Sequence, residues 1–314
     1  MGGHEFDITC ANERIDRAKE LLNRIMPNFP GFNGFGLGFE NPEFFWYIFV
    51  ENRALIEPLK GEFSAAEIGM SLYPIVSGVI RPQKPQKLMP DQNFIIQGGL
   101  SVGNVNFDTT GTLGCIIKQF DTRYLISTST VLAPQGSRIN EEITQPSQDD
   151  NARKLNVIAK MVSVIRPSKI SRNYVDVALA EIYDYVNCTS RIKDIGRPTG
   201  FDSGTIGKAV RKSGRSTYYT EGRIIATDVS FLIYRDPELI LMVDQFLVAS
   251  SETEFCSSGD EGALIIDGKN RAIGIIVQAY KGMALCCDAK EAFERIGITD
   301  PNCFDEIPMR EWSY

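Results

Sequence analysis

From about residue 96 onward the sequence is divided into short runs of β-branched, aliphatic and aromatic residues, each closed by Gly, Pro, Asn or Asp. Examples fall at residues 114–118, 124–127, 157–165, 175–182, 222–229, 239–243, 263–266 and 272–278. Runs this short are strand-sized, and many in succession bury their apolar faces by stacking into a sandwich or curling into a barrel. The pattern predicts a mainly β unit over residues 96–300, with one helix near its end at 289–296 and a tail over 301–314.

The first 80 residues follow another period. Ile15, Ala18, Leu21, Leu22 and Ile25 repeat at three- and four-residue steps, which predicts a helix over 12–26 with Asn12 as cap and Pro27 as stop. Aromatic runs at 31–39 and 44–50 predict a hairpin, and a short strand at 75–80 completes a small α+β domain over 1–80. The glycines of Gly34-Phe-Gly-Leu-Gly38 lack the spacing of a nucleotide loop and read as strand packing. Residues 81–95 hold Pro82, Pro85 and Pro90 among Arg81, Lys84 and Lys87, with little to bury, and read as a linker.

Hydrophobic residues at 43% and charged residues at 23% place the chain among globular proteins, and a net charge of −7 argues against general affinity for nucleic acid or anionic membranes. The first residues carry no basic segment followed by an apolar run, and no stretch is apolar for the length of a bilayer, so a cytoplasmic location is expected. Seven cysteines, an odd set without zinc spacing, read as reduced thiols; no metal and no cofactor is expected.

Four segments, in order, resemble the trypsin-like serine peptidases, in particular an intracellular branch with a small N-terminal α+β unit. Thr112-Leu-Gly-Cys-Ile-Ile117 with Arg123-Tyr-Leu-Ile-Ser-Thr-Ser-Thr-Val-Leu-Ala-Pro134 is similar to the strands that deliver the catalytic histidine, and the histidine position is Thr130. Asn173-Tyr-Val-Asp-Val-Ala-Leu-Ala-Glu181 resembles the strand of the orienting aspartate, here Asp176. Val210-Arg-Lys-Ser-Gly-Arg-Ser-Thr resembles a Lys-Ser-Gly-Arg-Thr-Thr turn of that branch. Phe255-Cys-Ser-Ser-Gly-Asp-Glu-Gly-Ala-Leu264 resembles the nucleophile loop, and the serine position is Glu261. The resemblance implies two six-stranded antiparallel β-barrels with the triad positions between them.

It also implies that the chemistry is lost. Acyl transfer on this fold needs a hydroxyl nucleophile, a base to take its proton and a carboxylate to orient the base. Thr130 is not a base at neutral pH, Glu261 is a poor nucleophile toward an amide, and the sole histidine, His4, lies outside the barrels. Losing nucleophile or base costs about 10⁶ in turnover, and losing both costs little more.

Gly259 and Glu261 match the donors of the oxyanion hole, so the Glu261 carboxylate has three readings: folded onto those donors, solvated, or meeting a cation of a partner. Asp176 reads as a hydrogen-bonded relic, with a carboxylate pair of Asp176 and Glu261 as the catalytic alternative. The resemblance places Phe255, Cys256 and Val277 along the pocket; a thiol nucleophile at Cys256 would still need a base.

Arg197, Lys208, Arg211, Lys212, Arg215 and Arg223 concentrate positive charge near Tyr218 and Tyr219. A solvated strand edge is one reading, and an anion-binding patch through Lys208, Arg211, Lys212 and Arg215 the other. The expected function is that of a pseudoprotease that binds a protein or peptide. A hydrolase using Asp176 and Glu261 or Cys256, and an anion-binding module through residues 208–223, are the alternatives.

Overall fold

The structure is a computed structural model describing residues 8–40, 43–63, 68–81, 83, 85, 95–148, 150, 155–235, 237–300 and 302–307, with side chains from residue 12 onward. His4, most of the 81–95 linker and the end of the 301–314 tail lie outside the described residues.

The fold is mainly β, with barrel-like sheets and a small N-terminal part that carries helix. The first sheet joins β5 (Ser101–Asn104), β6 (Gly111–Thr112), β7 (Cys115–Gln119), β8 (Thr122–Ser127), β9 (Glu142–Gln145), β10 (Asn156–Ile165) and β11 (Val177–Ile182) in the order β6-β5-β9-β10-β11-β8-β7. Because β6 and β7 follow each other along the chain, they act as one bent strand that closes the ring between β5 and β8. Outside it, β4 (Ile96–Gly98) and β12 (Cys188–Ile192) form a parallel pair.

The second ring holds β13 (Ala209–Gly214), β14 (Tyr218–Arg235), β15 (Glu238–Ala249), β16 (Leu264–Asp267), β17 (Ala272–Tyr280) and β18 (Met283–Asp288), in the order β13-β16-β17-β18-β15-β14. A β13–β14 pairing closes it. Both rings are antiparallel throughout. Two-residue alternation divides the apolar side chains between cores. Ile116 and Leu125 fill the first ring, whereas Cys115, Ile117 and Ile126 face a shared cluster with Leu264, Ile275 and Val277 of the second ring. Strands buried on both faces in this way read as continuous apolar runs.

β14 and β15 overrun the second ring, and the N-terminal part covers their far halves. β1 (Phe32–Glu40) pairs antiparallel with β14, β2 (Glu43–Val50) with β1, and β3 (Ser71–Val76) runs parallel to β2. The 1–80 segment and the second ring thus share one nine-stranded sheet. Gly34 permits the approach of β1 to β14, since a Cβ there would lie 2.5 Å from the Ser230 carbonyl. α1 (Ile8–Ile25) packs Ala18 and Leu22 against Phe32, Phe35 and Trp46, and Lys19 reaches Asp228 and Asp244 at 2.5 Å each. The expected strand at 75–80 is displaced to 71–76, leaving Ile80 in a single bridge to Ile233. α2 (Ile56–Glu62) was not expected. α3 (Ser129–Leu132) and α4 (Ala289–Arg295) follow further along the chain. No helix among the described residues is long and apolar enough to cross a membrane.

Candidate functional site

The loop from β15 to β16 bends back between the rings, and Asp260 organises its turn. The Asp260 carboxylate, fully buried, accepts from Ser216 N (2.7 Å), Thr217 N (3.2 Å), Thr217 Oγ1 (2.6 Å) and Ser257 N (3.0 Å). Lys212 Nζ, also fully buried, stands 3.3 Å away. The turn passes through Gly262 at φ +91°, where a Cβ would lie 2.0 Å from Ser127 Oγ. Position 262 is therefore closed to any larger residue on both conformational and steric grounds.

This turn aims the Glu261 side chain at main-chain donors. Gly259 N donates to Glu261 Oε2 at 2.7 Å and Ala279 N, at the outer end of β17, donates to Oε1 at 3.2 Å. Thr112 Oγ1 donates to Gly259 O at 2.8 Å and Thr112 N to Glu261 O at 2.8 Å, so the first ring holds the loop in place. Burial pushes the Glu261 carboxyl above the usual carboxylate range, while its own, the Gly259 and the Ala279 amides pull it back.

Asp176, at the entrance to β11, is fully buried and its Oδ1 accepts from Ser129 N at 2.7 Å; Oδ2 has no hydrogen-bond partner among the described residues. Its carboxyl is raised by burial, against the pull of Arg235, the Ser129 hydrogen bonds and Arg166. Thr130, the next residue after Ser129, is half-buried and shares a hydrogen bond with Thr128 Oγ1 at 3.0 Å. The Cys287 thiol beside Asp176 is pushed up to about 12 by burial.

Arg235, at the end of β14, lies in the field of both acids and was not among the sequence-derived candidates. Burial pulls its guanidinium below the usual arginine value, while Asp176 and Glu261 pull it up. It donates to Gln278 Oε1 at 2.5 Å and to Val277 O at 3.1 Å. Arg235 shares the strand face of buried Phe231 and Ile233, four and two residues earlier. A charged residue continuing an apolar face is the signal that would have found it.

A cavity of about 520 Å³ opens beside this cluster, between residues 77–81 and a wall that includes Cys256, Ser258, Tyr280 and Lys281. Of the residues expected along the pocket, Cys256 lines it. Phe255 is buried in the core of the second ring and Val277 in the cluster between the rings, so neither forms a pocket wall. The Cys256 thiol is fully buried and its pKa is raised well above the usual range by burial, then by Asp260 and Glu261.

The expected basic patch does not assemble, which corrects that expectation. Lys212 pairs with Asp260 and Arg215 with Asp150 inside the protein, because alternation along β13 turns Lys212 inward with Val210. Lys208 pairs with Asp202 at 2.6 Å, and Arg211 donates to Asn270 Oδ1 at 2.5 Å. A groove of about 600 Å³ carries Arg211 and Arg223 beside Glu221 and Glu252, a mixed surface.

A glutamic-acid-specific serine protease matches with a TM-score of 0.48 at 16% identity, over 64% of this chain and 98% of its own. Protease A of Thermobifida fusca matches with 0.48 at 13%, over 65% and 96%. An α-lytic protease homologue, N4, matches with 0.46 at 18%, over 65% and 97%. No family model and no curated protein matches the sequence.

Proposed function

We propose that this chain is a trypsin-like protein that does not cleave peptide bonds and acts by binding a protein or peptide segment in the cleft at Glu261. The observation that carries this reading is the seating of the Glu261 carboxylate on Gly259 N and Ala279 N. Gly259 N is one of the two amides matched to the oxyanion hole, and a carboxylate resident on it both fills the place and repels negative charge. Thr130 brings a hydroxyl where a base is required.

The alternative chemistries find less support. Both Glu261 oxygens are held by amides and Asp176 is fully buried, so neither acid is placed to activate a solvent water in the way a paired-acid mechanism needs. Burial keeps the Cys256 thiol protonated. The cytoplasmic setting, and the division into a 1–80 unit, an 81–95 linker, a 96–300 barrel pair and a 301–314 tail, belong to the same proposal.

A panel of peptide and ester substrates, offered to the native chain and to Glu261→Ala, tests it. Both proteins are expected to leave every substrate at its uncatalysed rate. Turnover by the native chain that disappears in the variant would overturn the proposal in favour of an acid-based hydrolase.

A further inference from the structure

The cleft is bounded by a strand end whose main-chain groups are occupied by side chains. β17 pairs with β18 out to Tyr280, but with β16 only as far as Ile275. Beyond that point Val277 O accepts from Arg235 and Ala279 N donates to Glu261. An extended peptide added to such an end would use these groups, so the two side chains stand where the peptide's own amide and carbonyl groups would bond.

Resting on the binding role proposed above, we infer that the segment this cleft takes carries a carboxylate, either an acidic side chain or a free C-terminus, which displaces that of Glu261. Gly259 N and Ala279 N hold a carboxylate in the resting protein, and charge-assisted bonds of that kind are stronger than those to a neutral oxygen. A neutral segment would exchange strong bonds for weaker ones, whereas a second carboxylate exchanges like for like.

The charge around the cavity favours the same occupant. Arg81 and Lys281 line it, with Glu254 as the opposing acid. Arg235 has no carboxylate within 4.0 Å among the described residues, although it lies in the field of Asp176 and Glu261. When the Glu261 side chain swings out, the incoming carboxylate keeps the net charge of the cluster unchanged.

The test uses fluorescein-labelled trialanine with a free C-terminus, its C-terminal amide, and the amide with glutamate at the central position. Each is titrated by fluorescence anisotropy into the full-length native chain, Glu261→Ala, Glu261→Gln and Glu261→Ala with Arg235→Gln. Circular dichroism and thermal melting report whether each variant is folded, and Glu261→Gln, which keeps the side-chain volume, supports the reading if the alanine variant is not. Removing the resident carboxylate is expected to tighten binding of at least one acidic peptide about tenfold or more over the neutral amide, a difference of about 1.4 kcal/mol. The second substitution is expected to erase that preference. The two acidic probes then show which carboxylate the site takes. Equal binding of all three peptides by the Glu261 variants would overturn the carboxylate inference and leave the binding role standing. Absence of binding by every protein would overturn the binding role and this inference with it.

Discussion

Replacing Lys212 by methionine isolates the ion pair on which the loop's geometry depends. Lys212 and Asp260 are both fully buried, with Nζ 3.3 Å from Oδ2, and Nζ also donates to Tyr218 O at 3.0 Å and to Thr217 Oγ1. Removing one partner of a buried pair costs about 3–5 kcal/mol, because the other charge stays behind uncompensated. Asp260 keeps its four other donors, which lowers the cost, and methionine refills the space of the lysine stem. Tyr218 O loses a donor, which adds about 1 kcal/mol. A net destabilisation of about 3 kcal/mol is expected, and at roughly 2–3 °C per kcal/mol for a chain of this size the melting midpoint falls by about 6–9 °C. Calorimetry and urea titration measure it, with Lys208→Met as the reference. Lys208 is the neighbouring lysine of the same basic segment and meets Asp202 at the surface, where an ion pair contributes little. Equal midpoints for the two variants would refute the buried pair and, with it, the placement of Gly259 that Asp260 enforces.

Folding raises the Glu261 carboxyl above its unfolded value, so the stability this group adds is fully present below about pH 4.3 and is lost as pH rises through the folded value. The urea midpoint of the native chain minus that of Glu261→Gln is therefore expected to decline from acid toward neutral pH, and a flat or rising difference rejects the assignment. Cys256 is expected to resist iodoacetamide in the native protein and to alkylate fully in urea, as read by peptide mass mapping; rapid native labelling would show that its thiol is neither buried nor protonated.

Within the two rings, β7, β8, β10, β11 and β14 to β17 were legible because their apolar runs are short and closed by turn residues; that pattern left sandwich and barrel open, and the antiparallel barrels were what the resemblance implied. What escaped depended on partners distant in sequence. β3 was read four residues too late because Ile75 to Ile80 is the more β-prone stretch, whereas pairing with β2 selects Ser71 to Val76. β18 is short and follows a turn through Lys281 and Gly282, both at positive φ, and its sequence alone does not separate it from β17. At the site, Thr130, Asp176 and Glu261 could be named from local motifs. Arg235 could not, since no motif surrounds it and its role exists only once β14 brings it to two acids from other segments. The basic segment misled for a related reason: composition counts Lys208, Arg211, Lys212 and Arg215 together, while strand alternation separates Lys212 from Arg211.

The sheet shared by the N-terminal segment and the second ring sets an order of events during synthesis. Lys19 meets Asp228 across 209 residues, and β1 waits for the same late-made β14. At about 5–20 residues per second a ribosome takes roughly 10–40 s to bridge that gap. During that interval the β1 edge and the face of β2 that carries Tyr47 and Phe49 have been made and their cover from the second ring has not. This N-terminal segment, made before the rings, is thus among the last to be completed, and a delay in translation between residues 81 and 218 would lengthen the time in which it is open to aggregation or to a chaperone.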